Sequence, residues 1–205
     1  AAKGPRIVLF KISGTIFLKS VLVVREPYLT IAGQTAPGDG ICVARYTTRV
    51  EAHDVIIRHV RFRLGDEARA ELGTFDVSST HDVVLDRWSM DENCTLHGKG
   101  VKNLTVQWSF IYEGLNRSFH PKGEHGHGSL LRTDGGALSI HHSVYAHNNA
   151  RNPRPGLGGD QNGHRVGGGS GKAGDTRLVA VHLGVGGNGD RARGLGRRRG
   201  PGPRG

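Results

Sequence analysis

Cysteine is scarce in this chain. There are two in 205 residues, Cys42 and Cys94, more than fifty positions apart. That excludes a disulfide framework, and with no CxxC the usual zinc and dithiol redox motifs are excluded too. Both thiols are expected to be free and buried. No stretch of about 18 apolar residues occurs, so no membrane-spanning helix is expected. No signal-peptide pattern is found among the residues of this sequence. The chain opens with Ala1-Ala2-Lys3-Gly4-Pro5 and runs at once into the strand-like Arg6–Phe10, as if cut inside a domain. The missing leader is therefore no guide to compartment. Amphipathic helix periodicity is hard to find, and no two-residue Asn-Gly or Asp-Gly hairpin links neighbouring apolar runs.

Acidic residues are outnumbered, giving a net charge of +10, but unevenly. From Pro155 to the end there are nine Lys or Arg and three Asp, a balance of +6, which leaves +4 for the other 154 residues. The body is only mildly basic. Nucleic acid is expected as a partner only through the tail, if at all.

What is present is short β-rich runs, from about residue 6 to 150, separated by Gly, Asn, Asp and Pro. They are Ile7–Phe10, Thr15–Leu18, Val21–Val24, Tyr28–Ala32, Ile41–Ala44, Val55–Phe62, Val83–Trp88, Leu104–Tyr112 and Leu138–Tyr145. Their Val, Ile, Thr and aromatic content suits a pleated surface. Five share a form: apolar residues two apart, then a polar one. These five begin at Leu29, Val55, Val83, Leu104 and Leu138, and recurrence on this scale marks a stacked repeat. One short strand per repeat without intervening helices suggests a parallel β-helix, with Ile31, Ile57, Leu85, Val106 and Ile140 directed inward at matching places. An antiparallel sandwich is the alternative. Trp88 and Trp108 fall at equivalent places in successive repeats, and stacked interior aromatics are expected there.

The turn His147-Asn148-Asn149-Ala150-Arg151-Asn152-Pro153-Arg154 follows the last run. It presents two permanently charged guanidinium forks, suited to carboxylates, on a chain stiffened by proline. A solvated turn with two surface arginines is the plainer alternative. Histidines cluster at His120, His125 and His127 and at His141, His142 and His147. With no HxxxH motif, ligand hydrogen bonding and coil stacking are expected of them rather than transition-metal binding. Lys122 and Arg151 are both candidate partners for Glu124, whose role stays ambiguous.

Several segments, in order, resemble the bacterial branch of the pectate lyase family of polysaccharide lyases. They are Ile31–Gly40, Val55–Arg63, Leu104–Trp108, Leu115–Ser118 and Ala150–Arg154, and the likeness covers about residues 5 to 155. It implies an all-β, right-handed, single-stranded parallel β-helix, incomplete at both ends. It also implies secretion and calcium-assisted β-elimination of polygalacturonate by a monomer. By this resemblance Arg151 falls on the catalytic base. Arg154 and Lys122 fall on residues that hold substrate carboxylate, and Asp91 or Glu92 on an acidic calcium ligand. The family's aspartate thirteen residues before the one matching Asp86 is replaced here by Gly73, so calcium binding is expected to be weak. A β-helix that binds acidic polysaccharide without cleaving it is the alternative function.

Residues 1–155 are thus expected to form a partial lyase domain. Residues 156–205 break the pattern: 18 of the last 51 residues are glycine. Such a tail cannot bury enough apolar surface to offset its ordering entropy, and a disordered or non-native segment is expected.

Overall fold

The computed structural model describes residues 3–69, 73–91, 94–117, 123–124, 126–132 and 138–155. The tail from 156 onward lies outside them, as do Glu92, Lys122, His120 and His125. The chain winds through six coils. Each contributes one strand to each of three parallel six-stranded sheets. The first coil holds β1 (Arg6–Leu9), β2 (Gly14–Phe17) and β3 (Leu22–Val24). The second holds β4 (Leu29–Ala32), β5 (Ile41–Ala44) and β6 (Thr48–Val50). The third holds β7 (Val55–Arg58), β8 (Val60–Arg63) and β9 (Phe75–Ser78). The fourth holds β10 (His81–Asp86), β11 (Ser89–Met90) and β12 (Cys94–His97). The fifth holds β13 (Lys102–Gln107), β14 (Phe110–Tyr112) and β15 (Ser129–Arg132). The sixth holds β16 (Leu138–His141), β17 (Val144–Ala146) and β18 (Arg154–Pro155). This is a parallel β-helix with three strands per coil, not the single strand per repeat that periodicity suggested. A 3-10 turn at Gly33–Thr35 is the one helical element among the described residues.

The expected inward positions share one ladder of the first sheet. Ile31 pairs with Ile57, Ile57 with Leu85, Leu85 with Val106, and Val106 with Ile140. Ile57, Leu85, Val106 and Ile140 are buried, and Ile31 packs partly buried against them. The central coils add a cluster of aromatic rings, Phe62, Phe75 and Trp88, with centroids 4.9 to 5.9 Å apart. Burying such side chains stabilises the stack by about 1.5–3 kcal/mol each.

Long apolar runs such as Val55–Phe62 are two strands turning a corner. The bend is made by His59, Arg87, Trp108 and His142, each in the left-handed region with φ near +50°. Left-handed bends usually call for Gly or Asn, so these corners carry no turn signal in sequence.

The two tryptophans are not equivalent. Asp86 pairs with Gln107, which sets Trp108 beside Arg87 rather than Trp88. A one-residue offset turns a strand side chain to the other face. Trp88 is therefore in the core at 2% exposure, while Trp108 is 48% exposed, stacked on His142 at 4.3 Å outside it. Both cysteines are free and buried, and burial pushes the Cys94 thiol up to about 12.

Candidate active site

Strand alternation fixes what the third sheet presents outward. Phe75 and Val77 point into the core, so Asp76 between them faces out. The pairing places Arg49, Asp76, Thr95, Leu130 and Arg154 on one outer ladder. Two residues further along, Ser78, His97 and Arg132 form a second. Adjacent rungs are about 4.8 Å apart. The arginine turn, residues 147–153, joins β17 to β18 at the edge between the second and third sheets.

That turn is held from several coils at once. Asn148 is 4% exposed. Its Nδ2 donates to the Ile111 carbonyl and to Asn152 Oδ1, both at 2.9 Å, and its Oδ1 accepts from Gly114 N at 3.1 Å. Gly126 O accepts from Asn149 N at 2.6 Å, and Arg151 O accepts from Ser129 N at 2.7 Å. Gly128 must be glycine, because a Cβ there would lie 2.4 Å from the Arg151 carbonyl oxygen. The backbone of Arg151 is left-handed, at φ 62°, and the peptide Asn152-Pro153 is cis. The side chain is half-buried. Its pKa is lowered from the ordinary arginine value, first by burial and then by the charges of Arg154 and Arg132. Arg154 is exposed at the end of the outer ladder. The structure thus brings together Arg151 and Arg154, as expected, and adds Arg132. Lys122 lies outside the described residues.

The acidic residues are arranged differently from expectation. Gly73 precedes β9 by two residues, and its carbonyl accepts from Thr47 Oγ1 at 2.6 Å. The outward carboxylate of that segment is Asp76. Its Oδ2 accepts from Arg49 Nε at 2.9 Å, and its Oδ1, which has no exposed surface, lies 3.0 Å from His97 Nε2. Asp91 is half-buried at the second-to-third-sheet edge, where its Oδ1 accepts from Leu64 N at 3.1 Å. Burial raises its pKa despite that bond. Glu92 lies outside the described residues. Calcium takes six to eight oxygen ligands. The outward carboxylate of this ladder, Asp76, already has Arg49 Nε bonded to one oxygen and His97 Nε2 at 3.0 Å from the other, with Thr95 in register beside it. That donor set does not fit calcium, and no group of three His, Cys, Asp or Glu poised for a metal occurs among the described residues.

Glu124 Oε1 lies 3.8 Å from Arg117 Nε, and the candidate partner Lys122 lies outside the described residues. His142 stacks on Trp108, in line with a coil-stacking role, and lies 2.8 Å from His141 through their Nδ1 atoms. A groove of about 720 Å3 lined by Arg61, Arg87, Trp108 and Phe110 lies at a different edge, between the first and second sheets. Arg49, His97 and Arg132 escaped sequence reading. The available signal was the apolar–polar–apolar alternation Phe75-Asp76-Val77, which marks an outward carboxylate and, through register, its neighbours.

No protein-family model matches the chain. Among curated proteins, the chain is 34% identical over 154 residues to a protein of Aspergillus flavus named "Probable pectate lyase C". Proteins of the same name from Neosartorya fischeri and Emericella nidulans are 34% and 35% identical over the same length. Each alignment takes in 73% of this chain and 34% of the relative, so the chain spans about a third of the length of the curated relatives it matches. With its three parallel sheets and its paired arginines, the chain is related over part of its length to the pectate lyase family.

Proposed function

We propose that the chain carries the elimination centre of a polysaccharide lyase that cleaves polygalacturonate. The observation that carries this reading is the Arg151 turn. A guanidinium stays protonated in water and is a poor base. Here it is half-buried and crowded by two further cations, both of which favour the neutral form. In β-elimination the base removes the proton α to the uronate carboxylate, and the C4–O bond breaks, leaving an unsaturated uronate at the new end. The developing charge on the carboxylate needs fixed donors nearby. Arg154 and Arg132 supply planar forks on the same face, and Lys122 is proposed to join them.

The Asn148–Asn152 clamp makes the placement rigid, which is what an oriented proton transfer requires. No step is assigned to calcium, because the described donor set does not fit it. An extracellular location goes with the substrate and is part of the proposal. The name shared by the curated relatives supports the lyase reading.

The assay is absorbance of the unsaturated product during incubation of the full chain with polygalacturonate. Turnover that vanishes in Arg151→Lys, with an unchanged thermal melt, is the expected result. Wild-type turnover in that variant removes Arg151 from the mechanism. A second reading, binding without cleavage, is favoured by the covered carboxylate of Asp76. Retained polygalacturonate binding with no turnover in the parent chain would select it.

A further inference from the structure

We propose that Arg49 and His97, both anchored on Asp76, grip a carboxylate and a hydroxyl of the acidic saccharide directly, so that the third sheet's outer face binds its ligand without a metal ion. This inference rests on the reading of that face as the uronan site.

The side chain of Asp76 is 12% exposed, while those of Arg49 and His97 are 41% and 42% exposed. The anchor is thus buried and the two heads are open. Arg49 spends only its Nε on Asp76. One terminal nitrogen, Nη1, lies 4.0 Å from Glu51 Oε1, too far to hold it. The guanidinium therefore keeps most of its five donors for an incoming carboxylate. His97 meets Asp76 through Nε2, which leaves Nδ1 without a partner among the described residues. An imidazole held by one nitrogen offers the other to a hydroxyl, as acceptor when neutral and as donor when charged.

The wider face agrees with an anionic ligand. Arg49 and Arg154 bracket Asp76, Thr95 and Leu130 on the outer ladder, with Val23 beyond Arg49 and Arg132 beside His97. A chain bearing a carboxylate on each sugar, laid across these rungs, meets a fixed cation at both ends. A dication at Asp76 would instead have to displace His97 from Oδ1 and sit against the Arg49 guanidinium. In this arrangement Asp76 is a positioning residue, and Arg49 and His97 are the binding residues.

The test is calorimetric titration of the full chain with tetragalacturonate, once with EDTA and once with millimolar calcium. Affinities equal within about twofold in the two buffers are expected. Arg49→Gln and His97→Phe should each weaken binding about tenfold in EDTA, which is the loss of one charge-assisted contact. Arg49→Lys should recover only part, since it restores charge without the fork. Asp76→Asn should weaken binding by the same factor in the two buffers while its thermal melt shows it folded at the titration temperature, which general destabilisation would not produce. Thermal melts check folding, with Arg49→Lys as the substitute should Arg49→Gln fail to fold. Binding only in calcium overturns the inference while leaving the lyase reading intact. No binding in either buffer overturns both. Unchanged affinity in Arg49→Gln and His97→Phe overturns the assignment of these two residues.

Discussion

The molecule uses the same ionic device twice, on two sheets, with different outcomes. On the first sheet, Asp86 Oδ2 accepts from Arg58 Nε at 2.9 Å, one coil away, and Oδ1 accepts from Gln107 Nε2 at 3.2 Å on the next coil. On the third sheet, Asp76 Oδ2 accepts from Arg49 Nε at the same 2.9 Å, and Oδ1 faces His97 on the next coil. Asp86 is fully buried and both its oxygens hold well-directed bonds. Asp76 lacks a well-directed bond to Oδ1, and its neighbours on the face are Arg132 and Arg154. A neutral amide closes the first ladder; a titratable ring leaves the second open. The first therefore serves the fold, and the second is arranged to meet something outside it.

The largest expected effect tests whether chemistry is confined to the third-sheet side. Arg151→Lys should lower turnover roughly a hundred- to ten-thousand-fold, the usual contribution of a positioned base, with the melting temperature unchanged. Because the Arg151 pKa is lowered, the neutral base becomes more populated as pH rises. In the parent chain kcat/KM should then climb with pH on the alkaline side; a profile that falls there contradicts the assignment.

Next in size is a contrast between tryptophans on the two sides of the wall. Trp88→Ala should cost about 3–5 kcal/mol, as a cavity in the core. Trp108→Ala should cost under about 1 kcal/mol, the value of an exposed stacked pair. Urea unfolding of both variants checks this, and equal losses would mean that the register at this corner is different.

The ladders themselves come third. Asp86→Ala strips the Arg58 and Gln107 donors of their buried acceptor and should cost about 2–3 kcal/mol, reduced from the range for buried pairs because Arg58 is partly exposed. Asp76→Ala should cost about 1 kcal/mol or less, since its partners reach water. Similar losses in the two variants would erase the distinction between a structural and a ligand-facing ladder. The smallest effect concerns Asp91, whose pKa is raised by burial. A raised folded-state pKa means that its contribution to stability is present at low pH and lost as pH rises through that value. Asp91→Asn should therefore raise the melting temperature slightly at neutral pH and leave it unchanged in acid.

The parts of this architecture that sequence discloses share a physical cause. First-sheet strands such as Val55-Ile56-Ile57-Arg58 are legible because β-branched residues alternate with positions that face out. Third-sheet strands after β3 are not, because Thr48, Cys94 and Ser129 fill inward positions where a larger apolar residue would have announced a strand. The Arg151–Arg154 turn is legible because its groups are adjacent in the chain. Arg49, Asp76, His97 and Arg132 lie on four successive coils, and only the pairing register brings them together. Gly73 drew attention as a missing acid, yet the outward carboxylate stands three residues later, at a place set by the register of β9 on β6.

Length varies along this chain at only some corners. From the third coil on, the bend from first to second sheet takes one or two residues, with His59, Arg87, Trp108 and His142 each forced into one backbone conformation. The passage from second to third sheet is short between Ala44 and Thr48 but long between Arg63 and Phe75 and between Tyr112 and Ser129. Residues can be added or removed there while every ladder keeps its partners. From the third coil on, the molecule thus separates a spine whose bends keep nearly one length from a rim whose length differs from coil to coil. A foreign loop spliced between Gly65 and Thr74 would alter what the rim recognises without shifting a rung.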